Sequence, residues 1–191
     1  MENATLAPGL YVVATPIGNL GDITLRALDV LKKADRVAAE DTRVSGQLLA
    51  SLGIGKPMLS VREHNELTGA EKLIENIRAG EAVAYVTDAG TPAISDPGSR
   101  LVEAVRAAGF PVIPVPGASA VIAALSVSGL SHGAWHFAGF LPPKTKARQA
   151  AIAALKFLPA ALAFYEAPHR IRETLADLAA VLRSEEHTSE L

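Results

Sequence analysis

The sequence predicts an α/β protein: a five-stranded, mainly parallel sheet domain followed by an incomplete second α/β domain. Two observations predict it. Short apolar runs alternate with amphipathic segments of helical period almost from the start of the chain. The connectors that leave the apolar runs are rich in Gly, Pro, Asp and Thr, whereas those that enter them are bland, as at Ala107-Ala-Gly109. Parallel pairing follows because each strand is separated from the next by a helix, and helices then cover both faces of the sheet.

The elements can be justified in order. Residues 10–14 are a short apolar strand. Asp22 is the expected cap of a helix whose inner face carries Ile23, Ala27, Leu28, Val30 and Leu31. Arg36–Ala39 is the second strand, 44–52 a short helix stopping near Gly53, and 58–61 the third strand. Over 70–79, Leu73, Ile74 and Ile77 face inward, Glu71, Lys72, Glu75 and Arg78 face outward, and Gly80 is the stop signal. Ala82–Val86 and 111–115 are strands four and five, with the loop 88–98 and an amphipathic helix between them. The pattern restarts after Gly133: a strand at Trp135–Phe140, a helix at 144–157, a strand at 160–165 and a helix at 168–182. The last helix carries a stripe of Ile171, Leu175, Leu178 and Leu182 that so small a sheet leaves poorly covered. The expected domains are 1–130 and 131–183. The tail 184–191, Ser-Glu-Glu-His-Thr-Ser-Glu-Leu, is polar and unpatterned and is expected to be non-native or disordered.

Composition narrows the function classes. The 191 residues are 49% apolar and 20% charged, with a net charge of −2 and no cysteine. Disulfide and thiol chemistry are excluded, and no global positive charge announces a nucleic-acid binder. The first residues lack the basic-then-apolar order of a secretory signal, and the longest apolar stretch, 118–130, is too short for a membrane span and holds three serines. These features suit the cytoplasm. The five histidines show no metal-ligating spacing, so no metal is expected. Phosphate-loop, dinucleotide-binding and Gly-x-Ser-x-Gly patterns are all missing.

In a parallel sheet the loops leaving the strands share one edge, where ligands bind. Here those loops supply Thr15, Pro16, Gly18 and Asn19; Glu40, Asp41, Thr42 and Arg43; Arg62, His64, Asn65 and Glu66; Asp88, Gly90, Thr91, Ser95 and Asp96; then Gly117 and Ser119. The loop 88–98 packs two Gly, two Pro and two Asp between regular elements, which lets a ligand approach the main chain. Glu40-Asp-Thr-Arg43 reads equally well as a functional cluster or as a helix cap with a surface ion pair, and Glu166-Ala-Pro-His-Arg170 equally well as helix capping. Basic spots at Arg43 and Arg62, and at Lys144, Lys146 and Arg148, also read as solvated helix faces.

Five motifs in order resemble the ribosomal small-subunit RNA 2′-O-ribose methyltransferase I family, within the tetrapyrrole methylase fold. They are Thr15-Pro-Ile-Gly-Asn-Leu-Gly-Asp22, Ala39-Glu-Asp-Thr-Arg43, Thr87-Asp-Ala-Gly-Thr-Pro-Ala-Ile-Ser-Asp-Pro-Gly98, Pro114-Val-Pro-Gly-Ala-Ser119 and Phe164-Tyr-Glu-Ala-Pro-His-Arg170. The resemblance implies S-adenosylmethionine (SAM) as methyl donor, bound in a cleft between two α/β domains. It implies a cytidine 2′-hydroxyl in the decoding region of 16S rRNA as acceptor, and a homodimer. Contacts to SAM are expected from Pro16, Gly18, Asp88, Gly90, Thr91, Ile94, Gly117 and Ser119, and from Tyr165, Glu166 and Ala167 as a second wall. Arg43, Arg62, Lys144, Lys146 and Arg148 are the candidate RNA contacts. Asp41, His64 and Glu66 are unranked candidates for a base. The match stops near Leu182, short of where family members finish their second domain, so a C-terminally truncated chain of doubtful activity is expected. Two other readings stand: methylation of a tetrapyrrole or other small molecule, and an inactive nucleotide- or RNA-binding fragment. Gly90-Thr-Pro92, where the tetrapyrrole branch is expected to have Gly-Asp-Pro, favours the RNA branch.

Overall fold

Strand β4 (Ala82–Val86) is buried along its whole length, and its unbroken run Ala-Val-Ala-Tyr-Val is what a central parallel strand covered on both faces requires. The computed structural model describes residues 5–62, 66–95, 98–130 and 133–183, without the side chains of residues 66 and 67. β4 lies in a five-stranded sheet of order β3-β2-β4-β1-β5, with β1 at Gly9–Val13, β2 at Arg36–Ala39, β3 at Met58–Ser60 and β5 at Val112–Val115. All four pairings are parallel, as the sequence predicts. The pleat sends alternate residues to opposite faces. Tyr11, Val13, Ala82, Ala84 and Val86 pack with Ala27, Val30 and Leu31 of α1 (Leu25–Lys33) and Leu49 of α2 (Thr42–Ser51). Leu10, Val83 and Tyr85 pack with Leu73 and Ile77 of α3 (Glu66–Arg78) and Leu101 and Val105 of α4 (Ser99–Ala107).

Local chemistry corrects one expected cap. Thr24, not Asp22, caps α1: its hydroxyl accepts the Ala27 N–H at 3.0 Å. Asp22 instead ends a single 3-10 turn, Leu20–Asp22, opened by Asn19, whose side chain accepts from Gly21 N–H. Both residue types cap well, and the turn consumes the first of them. Helix α2 starts two residues earlier than expected because Asp41 caps it. The sheet edges are blunt, β3 having three residues and β5 carrying Pro114, which has no N–H to offer.

The chain divides into two compact units, Met1–Ala120 and Val121–Leu191. The second holds the parallel pair β6 (Trp135–Phe140) and β7 (Ala161–Tyr165) with α6 (Thr145–Leu155) and α7 (Ile171–Leu182). Helix α5 (Ala120–Ser128) runs from the last residue of the first unit into the second. The β6–β7 register shifts between Phe137 and Phe140, where Gly139 takes φ +68°, so the strand bulges. Among the described residues β6 and β7 pair only with each other. Of the stripe on α7, Ile171 and Leu175 are exposed, and its fully buried positions are the polar Thr174 and Asp177.

The buried face of α4 sets a stability prediction. Leu101 is 0% exposed, so Leu101→Ala should lower unfolding free energy by about 2–5 kcal/mol. Leu25 is 80% exposed, and Leu25→Ala should stay within about 0.5 kcal/mol. Urea unfolding followed by circular dichroism checks both.

Candidate functional site

Because α1 and α2 lie on one face of the sheet and α3 and α4 on the other, the loops leaving β1 and β2 turn one way and the loop leaving β4, between them, turns the other. Such divergence opens a crevice at the carboxyl ends of the strands. The exits of β1 and β4 are stitched together by backbone. Thr15 N–H donates to Gly90 O at 2.9 Å and Gly90 N–H donates to Thr15 O at 3.1 Å, an isolated antiparallel bridge between the exits of β1 and β4. The Thr15 hydroxyl adds a 3.4 Å bond to Thr87 O.

The β4 loop is strained and tightly seated. Gly90 has φ +79°, and Ala93 and Ser95 hold φ +65° and +58° without being glycine. Such angles cost of order 1–3 kcal/mol each and cluster at functional sites. A Cβ on Gly90 would lie 3.3 Å from Ile17 Cγ2 and 3.7 Å from Ala118 O. A Cβ on Gly98 would fall 2.5 Å from the buried ring of Tyr85, and one on Gly117 2.9 Å from Ala14 Cβ. The turn after β5 therefore rests on the exit of β1. Thr91 joins the same assembly, its hydroxyl donating to Ala118 O at 3.0 Å.

Pro16, Gly18, Asp88, Gly90, Thr91, Ile94, Gly117 and Ser119 all lie on the loops of this one edge, with Gly90 buried, Pro16, Thr91 and Ser119 half-buried and the others exposed. Asp41 is engaged twice. Its Oδ1 accepts the Arg43 N–H at 2.8 Å, which caps α2, and both its oxygens accept from the Arg43 guanidinium at 3.1 and 2.7 Å. Those Arg43 hydrogen bonds, side-chain and then backbone, hold its carboxyl far below the usual carboxylate range. The cap-and-ion-pair reading of this cluster is thus realised, and Asp41 in this state is a feeble proton acceptor. Arg62 is exposed just past β3. His64 lies outside the described residues, as does the side chain of Glu66, the first residue of α3.

In the second unit the Tyr165 ring meets Phe137 and Phe140 edge to face at centroid distances of 4.7 and 5.6 Å, and its hydroxyl accepts the Val121 N–H of α5 at 3.2 Å. Glu166 accepts from the Ala167 N–H at 2.8 Å and the Thr174 hydroxyl at 2.6 Å and pairs with Arg170 at 3.3 Å. Burial pushes its carboxyl up, but Thr174, Ala167 and Arg170 together bring it below the ordinary value. Lys144 and Lys146 are exposed. Arg148 is a correction: it is 1% exposed and cannot greet a phosphate. Its Nε donates to Asp177 at 2.5 Å and its other nitrogens reach Pro143 O and Thr145 Oγ1, while Gln149 also donates to Asp177. The reason is helical spacing. Arg148 sits four residues before the buried Ile152 and shares its inward face, a signal present in the sequence.

Among the described residues no group of three or more His, Cys, Asp or Glu side chains is placed to hold a metal, and no helix is long and apolar enough to cross a membrane. The model of the tetrapyrrole (corrin/porphyrin) methylases matches residues 9–189. The chain belongs to that family. Within it, curated relatives carry the name ribosomal RNA small subunit methyltransferase I. The protein of Neisseria meningitidis serogroup B is 56% identical over 89% of this chain and 58% of its own length. That of Xylella fastidiosa is 54% identical over 93% of this chain and 65% of its own length, and that of Vibrio cholerae 50% identical over 94% and 62%. The chain thus spans about three-fifths of the length of these relatives. Among solved structures, the methyltransferase CobJ superposes with a TM-score of 0.67 at 19% identity, covering 92% of this chain and 77% of that one. The native uroporphyrin III C-methyltransferase of Thermus thermophilus gives 0.64 at 22% identity over the same shares. These two likenesses show the tetrapyrrole methylase fold.

The resemblance drawn from the five motifs is borne out by membership of the tetrapyrrole methylases and by relatives named ribosomal RNA small subunit methyltransferase I. Sequence reasoning missed Ala14 and Tyr85 as parts of the edge and gave Ile17 no role beyond its place in the first motif. The one available signal was Tyr85, an aromatic hydroxyl in an otherwise aliphatic buried strand. The ionic cluster of the second unit yields a pH prediction. Hydrogen bonds from Gln149 and then Arg148 lower the Asp177 pKa, and Glu166 is lowered too. Carboxyls depressed by folding add stability above their unfolded values, near 4, and lose it as pH falls through the folded ones. Melting temperature should drop as pH falls below about 4, and Asp177→Asn, which strips Arg148 of its charge partner, should lower it at neutral pH as well.

Proposed function

We propose that the protein transfers a methyl group from SAM to a ribose 2′-hydroxyl of small-subunit rRNA, specifically a cytidine in the decoding region of 16S rRNA. The observation that carries the reading is the identity of 49–56% to curated relatives named ribosomal RNA small subunit methyltransferase I, over some nine-tenths of the chain. Supporting it, the crevice suits the methyl donor. The stretch 88–95 carries one charge, the Asp88 carboxylate, and no cation to repel a sulfonium. At its root the buried Thr87 hydroxyl has no hydrogen-bond partner among the described residues, and the left-handed backbone at Ala93 and Ser95 is of the kind that clusters at ligand sites.

When bound, SAM supplies an electrophilic methyl group. The chain's part is to bind and align. Pro16, Gly18, Asp88, Gly90, Thr91, Ile94, Gly117 and Ser119 form the cradle in the first unit. In the second unit Tyr165, Glu166 and Ala167 are the residues assigned to the methyl donor, and the Glu166 carboxylate is itself engaged by Ala167, Thr174 and Arg170. In-line alignment supplies most of the acceleration, because a ribose hydroxyl is a weak nucleophile near neutral pH. Asp41 is already committed to Arg43, so His64 and Glu66 are the better candidates to accept the hydroxyl proton. Arg43, Arg62, Lys144 and Lys146 hold RNA phosphates. The acting form is a cytoplasmic homodimer.

The test is transfer of labelled methyl from SAM to small ribosomal subunits of a strain lacking the modification. Incorporation at a cytidine 2′-oxygen is expected, and labelling of a base or none at all would defeat the reading. Gly90→Val should abolish SAM binding measured by calorimetry, because a branched residue at φ +79° is strained and would crowd Ile17. Replacing Arg43 and Arg62 together by Ala should weaken RNA binding and flatten the log K against log[salt] slope by about 1.5, with SAM affinity unchanged. Unchanged RNA affinity with weaker SAM binding would reassign both arginines to the methyl-donor site.

A further inference from the structure

The exits of β4 and β5 meet although the two strands never pair. β1 lies between them, so no backbone ladder can join them directly. The exit of β1 is bonded to that of β4 through the Thr15–Gly90 bridge. The turn after β5 is set on β1 through the Gly117–Ala14 contact, where a Cβ would meet a Cβ at 2.9 Å. A side-chain hydrogen bond closes the third side. The Thr91 hydroxyl donates to Ala118 O at 3.0 Å, across 27 residues of sequence. Thr91 directly follows Gly90, so the latch acts at the foot of the strained stretch that includes Ala93 and Ser95.

We infer that Thr91 is a positioning residue: its hydroxyl is spent on the Ala118 carbonyl, not on the ligand, and holds the β4 loop and the β5 turn at the spacing the methyl donor needs. Left-handed angles at Ala93 and Ser95 persist only where the surroundings over-determine them. Two restraints at this end of the loop are the Thr15–Gly90 bridge and the Thr91 hydroxyl. The bridge is backbone and survives most substitutions, whereas the latch depends on one oxygen. A half-buried threonine fits the task because its methyl packs while its hydroxyl reaches a carbonyl, and valine keeps its shape without the donor. The inference rests on the methyl-donor reading of this edge, and its test separates the two.

The experiment compares wild type, Thr91→Val, Thr91→Ser and Gly90→Val, using S-adenosylhomocysteine as the calorimetric probe and amide hydrogen exchange across Thr15, Gly90 and the 116–120 turn. Thr91→Val should raise the dissociation constant about three- to ten-fold, the range expected for one neutral hydrogen bond. It should also speed exchange in the loop and turn while leaving α1 protected. Thr91→Ser should restore both. Valine leaving affinity and exchange unaltered would overturn the latch. Faster exchange with unaltered affinity would overturn the positioning role while keeping the contact. Serine failing to rescue would mean that side-chain shape rather than the hydroxyl matters, which also overturns it. If wild type bound the probe and Gly90→Val bound it equally well, the methyl-donor reading of the edge would fail, whatever Thr91 did.

Discussion

Two backbone hydrogen bonds between Thr15 and Gly90 govern the geometry of the candidate site. They are short, at 2.9 and 3.1 Å, reciprocal, and placed where the chain leaves two adjacent parallel strands bound for opposite faces of the sheet. In a parallel sheet such exits diverge, and the gap between them is the ligand crevice. Without the bridge the β4 loop would have no fixed starting point, and the strained conformations at Ala93 and Ser95 would lack one of the restraints that hold them. The bridge in turn needs glycine at 90, since φ +79° is costly for other residues, and a small residue at 14 so that Gly117 can close over β1.

The two units are held by different physics. The first has two apolar cores, one on each face of its sheet, whose buried members are aliphatic apart from Tyr11 and Tyr85. Among its described residues the second has two strands, one fully buried large aliphatic side chain in Ile152, and a buried arginine whose charge is met by Asp177. Burying an ion pair gives little net stability against an apolar pair, but removing one partner is severe because the other is stranded. Arg148 and Arg170 also bind the carbonyls of Pro143 and Leu141 just past β6, so the ionic cluster shapes the loops at the carboxyl edge of the second sheet.

Much of the fold was legible in the sequence because it is written in periodicity. The seven strands and the helices between them follow from apolar runs and 3.6-residue stripes, and the rule that ligands bind past the carboxyl ends of parallel strands placed the candidate residues on one edge before any coordinate was known. Boundaries moved where capping chemistry decided them, as with Thr24 taking the place of Asp22 and Asp41 opening α2. The site was legible in its glycines and motif residues. It was not legible in the neighbours those glycines serve, since Ile17, Tyr85 and Ala14 become relevant only when strands distant in sequence lie side by side.

By itself the sequence determined the fold class, the gathering of the candidate residues' loops on one edge of the first sheet, and membership of a methylase family, because hydrophobic period, turn residues and ordered motifs are local and survive without coordinates. Tertiary structure decided which polar side chains remain available. Arg148 and Lys144 are both basic and four residues apart, yet one is buried against Asp177 and the other is exposed. Asp41 reads equally as a functional acid or as a helix cap in the chain, and in the fold it caps α2 and grips Arg43. The availability of a charged group depends on partners brought close by packing, and a string of residues specifies those partners only through the fold it forms.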